Sequence, residues 1–176
     1  MFNLFQAKNE SDNFDYFIDF YSGKIKNCNG YFIDDILHFS DNQLEIIHNY
    51  IQWIFPTTEK SKFNKDAPIM TNEIIENFKN NPKCKENMLK CFEKMLNFYG
   101  LTLENKCIVK NINYKERSYN WIYLHHHNYL RITRILKSLK LFGFYEEYNA
   151  FLKVLKEIKD ENKSQLDKAY HYWIHS

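Results

Sequence analysis

A basic ridge on a predicted helix carries the strongest candidate chemistry in this sequence. It consists of four residues at intervals of four, three and four: His127, Arg131, Arg134 and Ser138. Because an α-helix advances about 100° per residue, this spacing places all four side chains on one narrow face. Guanidinium groups offer planar pairs of donors that suit a phosphate or a carboxylate, and the histidine adds a titratable donor. The basic ridge therefore predicts a site for a peptide carboxylate, a nucleotide phosphate or an RNA backbone.

The basic ridge also has a structural interpretation. Its arginines could cap helix carbonyls, pair with Glu146 and Glu147 shortly after the helix, or simply stay solvated. The two interpretations differ in one observable respect, because a ligand site requires the side chains to converge on an accessible concavity. Both remain open from the sequence alone.

The helix that carries the ridge is strongly specified. One arc of its surface holds the apolar residues that must be buried: Ile132, Ile135, Leu136, Leu139 and Phe142. Gly143 follows where a left-handed residue commonly ends a helix. The sequence therefore predicts a helix that ends at Gly143, with its ridge beside the buried arc.

Two further candidates, His48 and Trp53, fall on a helix predicted for residues 40–55. Ser40 with Gln43 forms a capping-box pattern at its start, and Pro56 ends it. His48 falls at the margin of the buried arc. Its role there is either that of a hydrogen-bonded boundary histidine or that of a catalytic base. Trp53 points away from the main arc, where it either packs against a second layer or lines a binding groove.

No metal site and no cofactor are predicted. His125, His126 and His127 are consecutive, and successive helical residues point about 100° apart, so one ion cannot collect all three. The four cysteines, Cys28, Cys84, Cys91 and Cys107, form no CxxC pair. They are typical of thiols buried in a protein of a reducing compartment.

The catalytic residues, if there are any, remain unidentified. The sequence holds no nucleophile elbow, phosphate-binding glycine loop, HExxH motif or paired carboxylates. An enzyme would use the basic ridge as a phosphate or carboxylate clamp, with His48 or His127 as acid and base. An RNA-binding module is a further alternative, because Tyr119, Trp121 and Tyr123 could stack bases ahead of the ridge. A net charge of +2 excludes a chain that is a polycation throughout.

Composition and periodicity predict an all-α fold. Only four Gly and three Pro in 176 residues indicate long uninterrupted elements. Helical periodicity runs almost throughout, apart from a long polar loop at residues 57–70 and an irregular stretch at 101–114, where a short extended piece is expected but no sheet. We expect one domain over residues 1–176, built as a compact orthogonal bundle of about seven or eight helices. The absence of a signal peptide and of a long apolar run predicts a soluble intracellular protein.

Two long motifs give the chain a family resemblance. The first is HNYLRITRILKSLKLFG at residues 127–143, and the second is HNYIQWIFP at 48–56, followed by FN at 63–64 and APIMT at 67–71. Both closely resemble the conserved N-terminal region of the opioid growth factor receptor family, with weaker matches extending from about residue 20 to residue 176. Residues 105–114 depart from the family, because they lack its small, glycine-containing turn.

The resemblance implies an intracellular receptor-type protein that binds an enkephalin peptide, in the cytoplasm or the nucleus. We therefore expect a binding domain that recognises a peptide or another small anionic ligand through the basic ridge. Nucleic acid is the less favoured partner. The sequence leaves the oligomeric state and the identity of the ligand open.

Overall fold

The computed structural model describes residues 10–122 and 127–176. These residues form ten helices and one two-stranded hairpin. The α-helical fold class is confirmed, and the number of helices is higher than the seven or eight predicted. Contacts between Cα atoms divide the chain into two compact units, Met1–Lys90 and Cys91–Ser176. None of the helices in the described ranges is long and apolar enough to cross a membrane.

Helices and loops build the first unit. They are α1 (Glu10–Tyr21), α2 (Ile33–Leu37), α3 (Asp41–Ile46), α4 (Ile51–Ile54), α5 (Asn72–Asn80) and the start of α6 (Pro82–Phe98). Ser40 Oγ accepts from the Gln43 N–H while the Gln43 side chain accepts from the Ser40 N–H, so the predicted capping box is confirmed. Thr71 caps α5 with one hydrogen bond, its side chain accepting from the Ile74 N–H.

The single helix predicted for residues 40–55 is wrong. Helix α3 ends at Ile46, and Ile47 is extended with φ −86° and ψ 125°. The Tyr50 hydroxyl donates to the Leu44 carbonyl at 3.1 Å, so a side chain bridges the break before α4 begins. The apolar residues keep a helical period across this break, so periodicity alone conceals it.

Tyr21 joins the elements of the first unit. Its side chain is fully buried, and its ring lies 4.9 Å from that of Phe78 on α5. The hydroxyl donates to the Ile54 carbonyl at the end of α4, at 2.6 Å. Asn87 on α6 donates its side-chain amide to the Tyr21 carbonyl at 2.8 Å. One residue thus ties α1 to three other helices.

The long loop predicted at residues 57–70 is held by its own hydrogen bonds. The Met70 N–H donates to the Thr57 carbonyl at 3.1 Å and closes the base of the loop. Within it, Ser61 Oγ accepts from the N–H groups of Phe63 and Asn64. Asn64 Nδ2 reaches out of the loop to the Asn49 carbonyl at 3.2 Å. Its conformation is therefore defined although it contains no helix.

The second unit combines a hairpin with longer helices. Its elements after α6 are β1 (Leu101–Glu104), β2 (Cys107–Lys110), α7 (Tyr114–Ile122), α8 (His127–Leu141), α9 (Tyr145–Glu161) and α10 (Lys163–Ile174). The antiparallel register pairs Leu101 with Lys110 and Glu104 with Cys107. This small sheet was not predicted.

The hairpin turn consists of Asn105 and Lys106. Both have positive φ, 48° and 65°, as a tight two-residue turn between twisted strands requires. Asn tolerates this region, whereas Lys adopts it rarely. The Lys106 ammonium contacts Glu146 Oε2 on α9 at 2.9 Å, with both side chains exposed.

Helix α8 matches the sequence prediction closely. The five residues of the predicted buried arc are 0 to 2% exposed. Gly143 has φ +84°, and the Phe144 N–H donates to the Leu139 carbonyl at 2.8 Å, so the predicted C-cap is confirmed. Helices α9 and α10 pack against α8 and against each other.

Two leucines on α8 test this placement with the same chemical change. Leu136 is fully buried, whereas Leu130 is 58% exposed. We expect Leu136→Ala to lower the free energy of unfolding by about 2 to 5 kcal/mol, because the cavity closes only partly. Leu130→Ala should change it by about 0.5 kcal/mol or less. Urea melts measure both, and equal losses would show that the buried face is misassigned.

Substitution of two glycines in the second unit measures backbone strain separately from steric crowding. Gly100 and Gly143 have similar φ values, +79° and +84°, but a Cβ on Gly100 would lie 2.6 Å from the Tyr114 Cα, whereas none crowds Gly143. Gly143→Ala should cost about 1 to 2 kcal/mol for the left-handed backbone. Gly100→Ala should cost about 1 to 3 kcal/mol more. Thermal melts that rank the variants equally would contradict the close approach.

Candidate functional site

The basic ridge is only partly accessible. Arg131 is 4% exposed and Ser138 fully buried, whereas His127 and Arg134 are half-buried. Arg131 Nη1 donates to Asn128 Oδ1 at 3.2 Å, and Asn128 is itself fully buried. Arg131 and Ser138 therefore face inward, and His127 and Arg134 are the outer members, although His127 Nε2 and Arg134 Nη2 are themselves buried atoms. The role of the ridge in binding a ligand stays a prediction.

Two features bear on the structural interpretation of the ridge. Glu146, one of the carboxylates considered as a partner for its arginines, contacts Lys106. Ser138 Oγ is buried and has no hydrogen-bond partner within the part of the chain that the structure describes. A buried hydroxyl without a partner is costly, so the ridge contains at least one polar group that its own helix leaves unsatisfied.

An apolar groove opens on the other side of α8, against α10. It has a volume of about 250 Å³. Three of its lining residues come from α8 and five from α10: Tyr129, Leu130, Thr133, Gln165, Lys168, Ala169, Tyr172 and Trp173. Both helices contribute positions three and four residues apart, so one face of each helix forms one wall.

The floor of the groove is fixed by hydrogen bonds to one carbonyl. The Tyr129 carbonyl accepts from Trp173 Nε1 at 3.2 Å and from Thr133 Oγ1 at 2.9 Å. The Tyr129 and Trp173 rings meet edge to face with centroids 5.9 Å apart. The Tyr129 hydroxyl donates to the Ile122 carbonyl at 2.8 Å, and burial raises its pKa, so it remains a neutral donor near neutral pH. The walls of the groove are thus held in place by contacts within the chain.

The rim of the groove combines exposed apolar groups with positive charge. Leu130 is 58% and Tyr172 59% exposed, and Lys168 is the one charged residue of the lining. Arg134 follows Leu130 by four residues, so it lies one helical turn further along α8 on neighbouring surface. A ligand with an apolar group in the groove could therefore place an anionic group near Arg134 or Lys168.

The structure places the other two predicted site residues in the first unit. His48 is exposed and lies between α3 and α4, so its predicted placement on a helix is wrong, whereas its role stays a prediction. Trp53 is 1% exposed, and its ring packs edge to face against Phe20 at 5.2 Å, as the packing interpretation predicts.

Cys28 is an exposed thiol of the first unit. Partial desolvation, followed by the negative charge of Asp66, raises the pKa of this thiol.

The residues considered for base stacking and for metal binding do not share one exposed surface in the part of the chain that the structure describes. Trp121 is 1% exposed and donates to the Tyr99 carbonyl at 3.1 Å, which is core packing, whereas Tyr119 is 58% exposed. Tyr123, His125 and His126 lie outside the described residues. Among the residues that are described, no cluster of three or more His, Cys, Asp or Glu could hold a metal ion.

The groove was not predicted from the sequence. One signal was present, because Leu130 is an apolar residue outside the buried arc of α8. Tyr172 and Trp173 lie in an aromatic run at the end of the chain, which periodicity did not connect to α8. Only tertiary packing shows that these two segments share a surface.

Comparison with known proteins agrees with the sequence motifs. The protein-family model described as "Opioid growth factor receptor (OGFr) conserved region" matches residues 8–176. The opioid growth factor receptor of Mus musculus is 40% identical over 142 residues, covering 76% of this chain and 22% of that protein. The Homo sapiens receptor is 38% identical over 167 residues, covering 85% and 24%. Opioid growth factor receptor-like protein 1 of Rattus norvegicus is 35% identical over 150 residues, covering 81% and 32%.

The chain spans about a quarter to a third of the length of these relatives. No solved structure matches it. The family match nevertheless covers nearly all of the chain, including both motifs and every described element of the candidate site. The chain therefore belongs to the opioid growth factor receptor family.

Proposed function

We propose that this chain is a peptide-binding domain and that α8 and α10 hold the ligand. The groove between these helices supports the proposal. Its volume of about 250 Å³ is below the range typical of pockets for whole small molecules, and it suits one or two side chains of a peptide. The relatives are named as receptors for a growth factor, which agrees with a peptide ligand.

The chemistry of the groove supports an aromatic or aliphatic anchor with an acidic neighbour. Tyrosine and tryptophan walls provide rigid contact area with little loss of conformational entropy. Lys168 and Arg134 would then attract a carboxylate of the same peptide. In this arrangement the outer members of the basic ridge, His127 and Arg134, bind the anionic group, while Arg131 and Ser138 support them from below.

Substitution of Tyr172 tests whether the groove binds the peptide, and a second, equally exposed tyrosine serves as the control. An enkephalin peptide titrated into the full chain by calorimetry is expected to bind, and Tyr172→Ala should weaken it by at least about 1 to 2 kcal/mol. Tyr145→Ala is the control, because Tyr145 is equally exposed at 59% but lies outside the groove lining. The groove is excluded as the site if both variants lose the same affinity, and the function is excluded if the unaltered chain binds no peptide.

Two arginines test the division of the basic ridge into outer and inner members. Arg134→Gln should lower the melting temperature less than Arg131→Gln does, and it should weaken peptide binding, more so at low salt. Arg131→Gln should instead destabilise the fold by about 1 to 3 kcal/mol, because Asn128 loses a buried charged donor. Lys156→Gln, on the exposed surface of α9, is the charge control. If Arg134→Gln collapses the fold, the ridge is scaffold throughout.

A further inference from the structure

A pair of histidines lies near the end of α10, outside the residues that line the groove. His171 and His175 are four residues apart, and both are exposed. Their ring centroids are 4.6 Å apart, and the ring planes are inclined by 48°. Side chains at this spacing are neighbours on a helix surface, and two histidines four residues apart are the zinc ligands of the HExxH motif. The two imidazoles therefore lie side by side at the surface, where an ion has room to bind.

The His175 ring is held in the orientation of a metal ligand. His175 is the C-cap residue of α10, and its Nδ1 lies 2.6 Å from the His171 carbonyl oxygen. A carbonyl can only accept a hydrogen bond, so Nδ1 carries the proton and the lone pair of the neutral ring is on Nε2. Histidines that bind metals usually donate their other ring N–H to a carbonyl or a carboxylate, which fixes the tautomer. Nε2 of His175 is therefore the atom that can bind an ion.

The His171 ring is available as the second ligand. Its nitrogens make no hydrogen bond or ion pair within residues 10–122 and 127–176, since only the backbone carbonyl of His171 accepts from His175. Asp167 lies one turn earlier on α10, but its carboxylate contacts Lys159 Nζ at 3.1 Å. No third His, Cys, Asp or Glu joins the pair in the part of the chain that the structure describes. Water therefore has to complete the coordination of an ion at this place.

The two nitrogen donors select the class of ion. Imidazole suits Zn²⁺, Ni²⁺ and Cu²⁺, whereas Mg²⁺ and Ca²⁺ prefer oxygen ligands. With zinc–nitrogen distances of about 2.0 to 2.1 Å, two imidazoles on one ion have ring centres roughly 5 Å apart. The observed separation of 4.6 Å is close to that value. The position also favours a cation, because the C-terminal end of a helix carries partial negative charge.

We infer that His171 and His175 together bind one divalent transition-metal ion of the Zn²⁺ type, with water in the remaining coordination positions. Two protein ligands make an open site, in contrast to a structural zinc site with four. The bound ion links the two ends of the last turn of α10, and this turn carries Tyr172 and Trp173 of the groove wall. The inference does not depend on the proposed peptide binding, because neither histidine lines the groove.

NMR signals of the histidine rings in the full chain provide the first test. Zn²⁺ alone, without any peptide, is titrated into isotope-labelled protein. We expect the ring signals of His171 and His175 to change saturably with one common midpoint, while the other five of the seven histidines report any binding elsewhere. Mg²⁺ at the same concentrations should change neither signal, because it does not favour imidazole nitrogen.

Matched variants test whether the two rings share one ion. The backbone amide signal of Trp173, which lies between the histidines in sequence, measures the Zn²⁺ midpoint in every variant. His171→Ala and His175→Ala should each weaken binding by about tenfold or more, since even the loss of an outer-shell partner costs that much. The double variant should lose little more than either single variant, because one remaining imidazole cannot chelate.

His38→Ala is the matched control. His38 is exposed, and its Nδ1 lies 2.8 Å from the Asp34 carbonyl, so its ring is held as that of His175 is. The residue four positions earlier is an aspartate rather than a second histidine. His38→Ala should therefore leave the Zn²⁺ midpoint at Trp173 unchanged.

Melting temperatures guard against a variant that fails to fold. His171→Ala removes an exposed ring, so without metal its melting temperature should stay near that of the unaltered chain. Zn²⁺ should raise the melting temperature of the unaltered chain more than that of this variant. One common midpoint, with binding lost in both single variants, supports the inference. It is overturned if saturating Zn²⁺ leaves both ring signals unchanged or stabilises both proteins equally, if the two signals have separate midpoints, if Mg²⁺ acts as Zn²⁺ does, or if His38→Ala weakens binding as much.

Discussion

Burial of one apolar arc fixes the rotation of α8, and the candidate site depends on that rotation. Five side chains of the arc are almost completely removed from water, and turning the helix by even one position would expose some of them. The same rotation directs Arg131 and Ser138 inward and presents Tyr129, Leu130 and Thr133 to α10. The groove is therefore a consequence of core packing rather than of any contact made for a ligand.

Features that depend on residues close together in the sequence could be predicted. Features that depend on contacts between distant segments could not. Caps at Ser40 and Thr71, the end of α8 at Gly143 and its buried arc could be read from spacing, because each involves residues within a few positions. The break before Tyr50 could not be predicted, since the apolar period continues across it. The groove could not be predicted either, because its second wall lies more than 30 residues after the first along the chain.

The hairpin turn identifies a position where this chain has room to become more stable. Lys106 holds a left-handed backbone conformation that its β-carbon disfavours, and in return it gains an ion pair with Glu146 between two exposed side chains. Exposed ion pairs contribute little, so the backbone strain is the larger effect. A glycine at this position would relieve the strain without altering α8 or α10. Relief of this strain would therefore offset a destabilising change elsewhere in the second unit.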